Sequence, residues 1–406
     1  MTKRFHPFEP TRGARTKARA SPPAAKPSLA ARCLAAIPAV KTLALTLSLV
    51  FSAVVFLAIL REAWPTSILI QPVAVPPAMV QQGFAPMVVA GRLKAALADI
   101  DRKASTGSAR APRGALPAEQ ADFQIPGQSF SLKTGIAYLK QLLGRPDINV
   151  DVDITEGVDG FAAQVRTNPS TRQLMRPLHF GLNADRDEMM RTIAETIMGG
   201  VKPLVLASYR TALEQARCAK PGATARDYST ALELYRSILN DASSADHQWA
   251  LLGRCNIYYL LDQAQEVQQA CGLAISLYPD FDRPYVIRAM SAMGSDPAAA
   301  GADFQRAVEK NPHNASAYYF LGQLLQKSGK FDSAAAKFAM AESIEPGHVA
   351  ALRRWGDALA AAERWDEARA VYRRALLIAP DDELSRAGWN NAVRIPADPA
   401  IHVIRR

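Results

Sequence analysis

Metal sites, reactive thiols and phosphate-binding loops have little to draw on in this sequence. Six histidines (His6, His179, His247, His313, His348, His402) are scattered through 406 residues, and none falls in an H-E-x-x-H pattern. His313 and His348 sit beside prolines in expected turns and read as solvated. There are four cysteines (Cys33, Cys218, Cys255, Cys271) and no C-x-x-C. The chain also lacks G-x-x-x-x-G-K-[ST], G-x-S-x-G and G-x-G-x-x-G, which removes the usual nucleotide and nucleophile signatures. Asp151, Asp153 and Glu156 lie on the polar side of an expected hairpin, where a solvated edge is the simplest reading. The expectation is a protein that is not an enzyme and has no metal and no cofactor.

Acidic residues are almost missing from the N-terminus. Residues 1–41 hold nine Lys and Arg against Glu9 alone, so this segment carries +8 of the net +10 and the rest is nearly neutral. A nucleic-acid partner is therefore not expected from bulk charge. With Pro22, Pro23 and Pro27 among Ala, Ser, Arg and Lys, 1–41 is predicted to be a disordered basic tail. Charge is then absent altogether from "TLALTLSLVFSAVVFLAIL", Thr42–Leu60. At about 1.5 Å per residue this run matches a hydrocarbon core of about 30 Å. A cleaved signal peptide or a buried core helix fits less well, because both the basic region and the apolar run are long. Residues 42–60 are thus predicted to be a transmembrane helix in the lipid bilayer. The positive-inside rule puts the N-terminus in the cytoplasm. The Ala- and Arg-rich composition points to a GC-rich bacterial genome, which makes this the inner membrane and puts the C-terminal domains in the periplasm.

Residues 66–200 read as a small α+β domain. "TSILIQPVAV" is β-branched and ends at Pro76 and Pro77. Val89, Leu93, Leu97 and Ile100 recur at helical spacing after Pro86. "DFQIPG" is a short strand candidate, and "SLKTGIAYLKQLLG" is a helix with Ser131 as its cap. "INVDVDI" alternates strictly, "TEGVDG" turns and "FAAQVRT" returns, which predicts a β-hairpin. "LMRPLHFGL" is a third strand of that sheet, and Asp185 with Glu188 opens a helix running toward Met198. One face of the sheet should be covered by helices.

Beyond residue 200 the signal is a period. Gly322 recurs as Gly356, and Ala300, Ala334 and Ala368 are 34 residues apart. So are Phe304, Phe338 and Tyr372; Ala307, Ala341 and Ala375; and Pro312, Pro346 and Pro380. Small residues let two helices approach, the ring fills the seam, and the proline breaks the second helix. This pattern resembles the tetratricopeptide repeat. The copies 281–314, 315–348 and 349–382 are in register. A fourth, 248–280, is one residue short, with Cys255, Val267, Cys271 and Ala274 in the matching slots. "DYSTALELYRSILN" with "PLVLASYRTALEQARC" makes a hairpin before it. The repeats then span 203–382, and 383–406 supplies a capping helix and tail. The copy 281–314 departs from the pattern at Pro284, Arg288 and Ser291, which puts its inner packing in question.

The resemblance implies an all-α superhelix whose first helices line a groove for a peptide or protein partner. The groove positions that it implies here are Trp249, Asn256, Tyr259, Tyr285, Ser316, Tyr319, Gln323, Arg353 and Asp357. Rings and amides suit peptide recognition. Val286 and Ala350 stand where a carboxylate-gripping subfamily has polar residues, so that clamp is not expected. Cys255 and Cys271 fall on facing helices of one hairpin, as either a disulfide or two buried thiols. The function expected is a membrane-anchored interaction scaffold. The alternative is a signalling component whose α+β domain senses a small ligand or polymer.

Overall fold

The computed structural model describes residues 48–49, 68–105, 132–143, 147–167, 177–220 and 226–394. The chain divides into Met1–Trp64 and Pro65–Arg406. In the first unit only Ser48 and Leu49 are described, and both are helical. The rest of the expected span 42–60, the basic tail, "DFQIPG" and Ser131 lie outside the described residues. Among the described residues, no helix is long and apolar enough to cross a membrane.

The second unit opens with a four-stranded sheet in chain order. Strand β1 (Ile68–Ile70) runs parallel to β2 (Ile148–Gly157), which pairs antiparallel with β3 (Gly160–Thr167), and β4 (Leu178–Gly181) pairs antiparallel with β3. Strand β1 is shorter than the apolar run predicts. Pro72 has no amide to donate, and pairing resumes only at Ala74, opposite Asp153. The expected alternation holds in β2: Ile148, Val150, Val152 and Ile154 are buried, while Asp151 and Thr155 face water.

Helix α1 (Pro77–Gln81) is a short turn that the sequence reading missed. Helix α2 (Pro86–Ala104) turns Val89, Leu93, Leu97 and Ile100 into the sheet core, and α3 (Leu132–Leu142) follows. Helix α4 (Arg186–Val201), capped by Asp185 through the Asp187 amide, adds Met189, Met190, Ile193 and Ile197.

From Pro77 onward fifteen helices are described, and the last eleven form the stack. Helix α5 (Pro203–Cys218) is apolar on every side over its first two turns, from Leu204 to Ala207 and again at Tyr209. Two cores need it. Val205, Leu206 and Tyr209 complete the sheet core, while Leu204 and Ala207 pack with Tyr235 and Ile238 of α6 (Ser229–Asn240). The sheet region and the first hairpin therefore share one helix.

Four hairpins and a last helix follow: α7 (His247–Leu260) with α8 (Ala264–Leu277), α9 (Asp282–Ala292) with α10 (Pro297–Lys310), α11 (Ala315–Lys327) with α12 (Phe331–Ile344), α13 (Val349–Ala361) with α14 (Trp365–Ile378), and α15 (Glu383–Arg394). Neighbouring first helices α5, α7, α9, α11, α13 and α15 touch in sequence, which makes them one layer. The periodic small and aromatic residues are the seam. Ala300, Ala334, Ala368, Phe304 and Phe338 are wholly buried, and Tyr372 nearly so. A Cβ on Gly322 would stand 2.9 Å from the Phe338 ring, and one on Gly356 would stand 2.6 Å from Tyr372.

The cap recurs with the same period. Asn314, His348 and Asp382 each accept the amide of the residue three positions on, opening α11, α13 and α15. His348 is thus a helix cap through Nδ1 and not merely a solvated turn residue.

Candidate partner-binding groove

Residues on successive first helices are brought to a common layer by the period, but not all of them remain open. Asn256 and Tyr285, read as groove residues, are buried with 5% and 6% exposure. Helix α7 is packed by α5, α6, α8 and α9, so its residues 250–253 and 255–257 have no free face. Tyr285 packs with Val286, Ala289 and Phe304, and its hydroxyl donates back to the Pro279 carbonyl at 3.2 Å. Its side chain anchors the start of α9 in the core.

The other seven lie at or near the surface. Trp249 is half-buried. It meets Phe281 edge-to-face with ring centroids 5.2 Å apart and carries the Arg283 guanidinium 5.2 Å above its ring. Tyr259 is half-buried against the α7–α8 core. Ser316 is exposed, and Gln323 is half-buried two turns further along α11.

Two cavities open on this layer. The smaller, about 160 Å³, is lined by Ser316, Tyr319, Phe320, Glu345 and His348. Tyr319 is its aromatic floor, edge-on to Phe320 at 5.2 Å, Phe338 at 5.7 Å and His348 at 5.9 Å. The larger, about 540 Å³, lies between α13 and α15, with Arg353, Arg354, Asp357, Trp365 and Tyr372 among its walls. Arg353 Nη1 is 3.3 Å from Asp382, the α15 cap, whose carboxyl is held below the usual range chiefly by its bond with Ser385. Asp357 accepts the Tyr372 hydroxyl at 2.7 Å. Burial, and then that carboxylate, push the Tyr372 phenol above its ordinary pKa.

Arg288 occupies the seam slot that is glycine in the next two repeats. Its guanidinium is gripped by Asp303, one residue before the seam ring Phe304. The departure in 281–314 is thereby compensated. In the preceding hairpin Cys255 and Cys271 pack in the seam as free thiols in mutual contact, both wholly buried. The disulfide left open by the sequence is not formed. Burial pushes the Cys271 thiol strongly upward, so it stays protonated and packs as a small apolar group. Among the described residues, no group of three or more His, Cys, Asp or Glu side chains is placed to hold a metal ion.

Sequence reasoning missed Arg354, Trp365 and His348. The cap at 348 was readable from its 34-residue spacing to Asn314 and Asp382. The roles of Arg354 and Trp365 depend on where α15 lands, which no local pattern specifies.

The architecture defines a helical-hairpin repeat protein with a mixed sheet at its N-terminal end. Residues 294–347 and 326–387 each match the tetratricopeptide-repeat family, and the hairpins over 294–387 are tetratricopeptide repeats. Repeats of this family generally mediate protein–protein interaction. No curated protein matches the chain. Similar solved structures include MamA, at 24% identity over 38% of this chain and 90% of its own, with a TM-score of 0.33. A second is TTC0263, a thermophilic tetratricopeptide-repeat protein in Thermus thermophilus, at 19% identity over 48% and 99%, with a TM-score of 0.37. A third is YrrB, described as having an unusual peptide-binding site, at 22% identity over 49% and 96%, with a TM-score of 0.34. At those scores the likeness carries no argument about residues or partners.

Proposed function

We propose that the chain is a non-catalytic scaffold that binds a peptide or protein partner along the layer of first helices. The observation that carries this reading is the pair of cavities on consecutive repeats, one floored by Tyr319 beside exposed Ser316, the other walled by Arg353 and Asp357. An aromatic floor supplies contact area at low entropic cost, and the charged wall supplies orientation. A membrane anchor, with the repeats in the periplasm, is part of the same proposal. It is supported by the uncharged run Thr42–Leu60 and the +8 segment before it.

Crosslinking in intact cells, followed by identification of the captured species, tests the groove. A Ser316→Arg, Gln323→Arg variant should lose the partner while keeping its helical signal. Capture of the same species at the same yield would overturn the reading. A reporter fused after Arg406 that is active only in the cytoplasm would overturn the topology.

A further inference from the structure

Three turns meet at one end of the sheet domain, and each exposes apolar side chains that the core does not use. The β2–β3 hairpin turns at Val158, which is 95% exposed. The turn after β4 carries exposed Leu182, and the pairing of Gly160 with Gly181 sets these two turns side by side. The third is the turn between α1 and α2, flanked by exposed Val80 and by Met87, which is 87% exposed. Turns favour Asn, Asp and Gly, and an apolar side chain left in water there adds nothing to the core.

Two arginines brace these turns. Arg186 donates to the Gln82 side chain at 3.2 Å and to the Ala184 carbonyl at 3.1 Å, with its guanidinium 4.4 Å from the centre of the Phe161 ring. It thereby ties the α1–α2 turn to the one after β4. Arg92 pairs with Asp187 at 2.6 Å, which joins α2 to the start of α4. Both cations are engaged within the domain. The acids face outward. Glu156, Asp159, Asp185 and Glu188 are all exposed, and none of them has an ion pair among the described residues. Asp185 is accounted for as the cap of α4, but capping explains neither Glu156 nor Asp159 at the hairpin. The result is an apolar surface with an acidic rim.

We propose that this end of the sheet domain docks a protein segment in which Lys or Arg stands beside apolar side chains. The apolar members rest on Val158, Leu182 and Met87, and the rim attracts the cations. The rim also decides among occupants. A second copy would set acid against acid across a two-fold contact, and anionic lipid headgroups would be repelled. The surface lies outside the repeats and stands independently of the groove reading above.

The test uses the full chain in detergent and a displayed library of random dodecapeptides. Selection is run on the native sequence and on the Ser316→Arg, Gln323→Arg variant, whose groove is blocked. Both should enrich one shared class of peptides with Lys or Arg next to an apolar residue. Those peptides should bind about tenfold more weakly to a Met87→Asp, Leu182→Asp variant. They should also weaken against Glu156→Lys, Asp159→Lys, and the loss should shrink as salt is raised. All four positions are exposed, and an unaltered helical signal and thermal midpoint establish that the fold is retained. Absence of a shared class, or a shared class indifferent to Met87→Asp, Leu182→Asp, would overturn the docking surface. Sensitivity to that variant without a basic bias would overturn the assigned partner chemistry. Self-association in sedimentation, or flotation with phosphatidylglycerol vesicles, that is lost in the same variant would assign the surface to a second copy or to lipid, and would equally overturn it.

Discussion

Arg288 Nε lies 2.7 Å from Asp303 Oδ2, and its Nη2 lies 2.8 Å from Oδ1, across the seam of the third hairpin. The pair replaces a glycine contact with a bidentate ion pair, and both side chains are largely buried, at 19% and 9% exposure. Breaking one partner of such a pair leaves an uncompensated charge. Asp303→Ala should lower stability by about 3 kcal/mol. Arg288→Met with Asp303→Leu should recover most of it. Urea unfolding followed by circular dichroism measures both, and equal loss in the single and double variants would contradict the pairing.

The Tyr372 ring makes a second prediction. Gly356→Ala and Gly388→Ala each drive a methyl into it, since the new Cβ would lie 2.6 Å and 2.5 Å from ring atoms. Each should cost about 1–3 kcal/mol. Gly272→Ala in α8, which meets nothing within 4 Å, should be neutral or stabilising by up to about 1 kcal/mol. The thermal midpoints of the three variants decide it.

His348 should behave as a cap. Its Nδ1 accepts the Ala351 amide at 3.1 Å, as Asn314 Oδ1 accepts that of Ala317 at 2.9 Å. His348→Ala should cost about 1 kcal/mol and His348→Asn almost nothing. Amide hydrogen exchange at Ala351 reads the local effect.

Acid should loosen the junction between α5 and α6. Glu214 is held down to about 2, first by its bond with Arg217 and also by the Asp227 amide at 2.7 Å. A depressed carboxylate stabilises above its unfolded value of 4.5, and that contribution is lost as pH falls toward about 2. Glu214→Gln should flatten the pH dependence of the unfolding midpoint over that window. An unchanged slope would contradict the assignment.

Thiol labelling should separate the cysteines. Cys218 is half-buried, and Cys255 and Cys271 are wholly buried. In the native chain, alkylation should reach Cys218 first of these three. Unfolding without reductant should expose all three. Labelling of Cys218 alone after unfolding would mean that the other two are bridged.

The sequence by itself determined the repeats. A small residue at 334, a ring at 338 and a proline at 346 must recur at 34 because each hairpin buries the same face against the next. It also determined the alternation of β2, because side chains on a strand must choose one of two faces. Tertiary structure alone decided what was left for binding. Asn256 and Tyr285 look like groove residues along their own helices, yet neighbouring helices cover them. Arg354 looks like any exposed helix arginine until α15 arrives with Gly388 and a cavity opens beside it. Local periodicity specifies which face of a helix packs. Which open positions end up facing one another depends on how the hairpins stack, and that is set by contacts far apart in the chain.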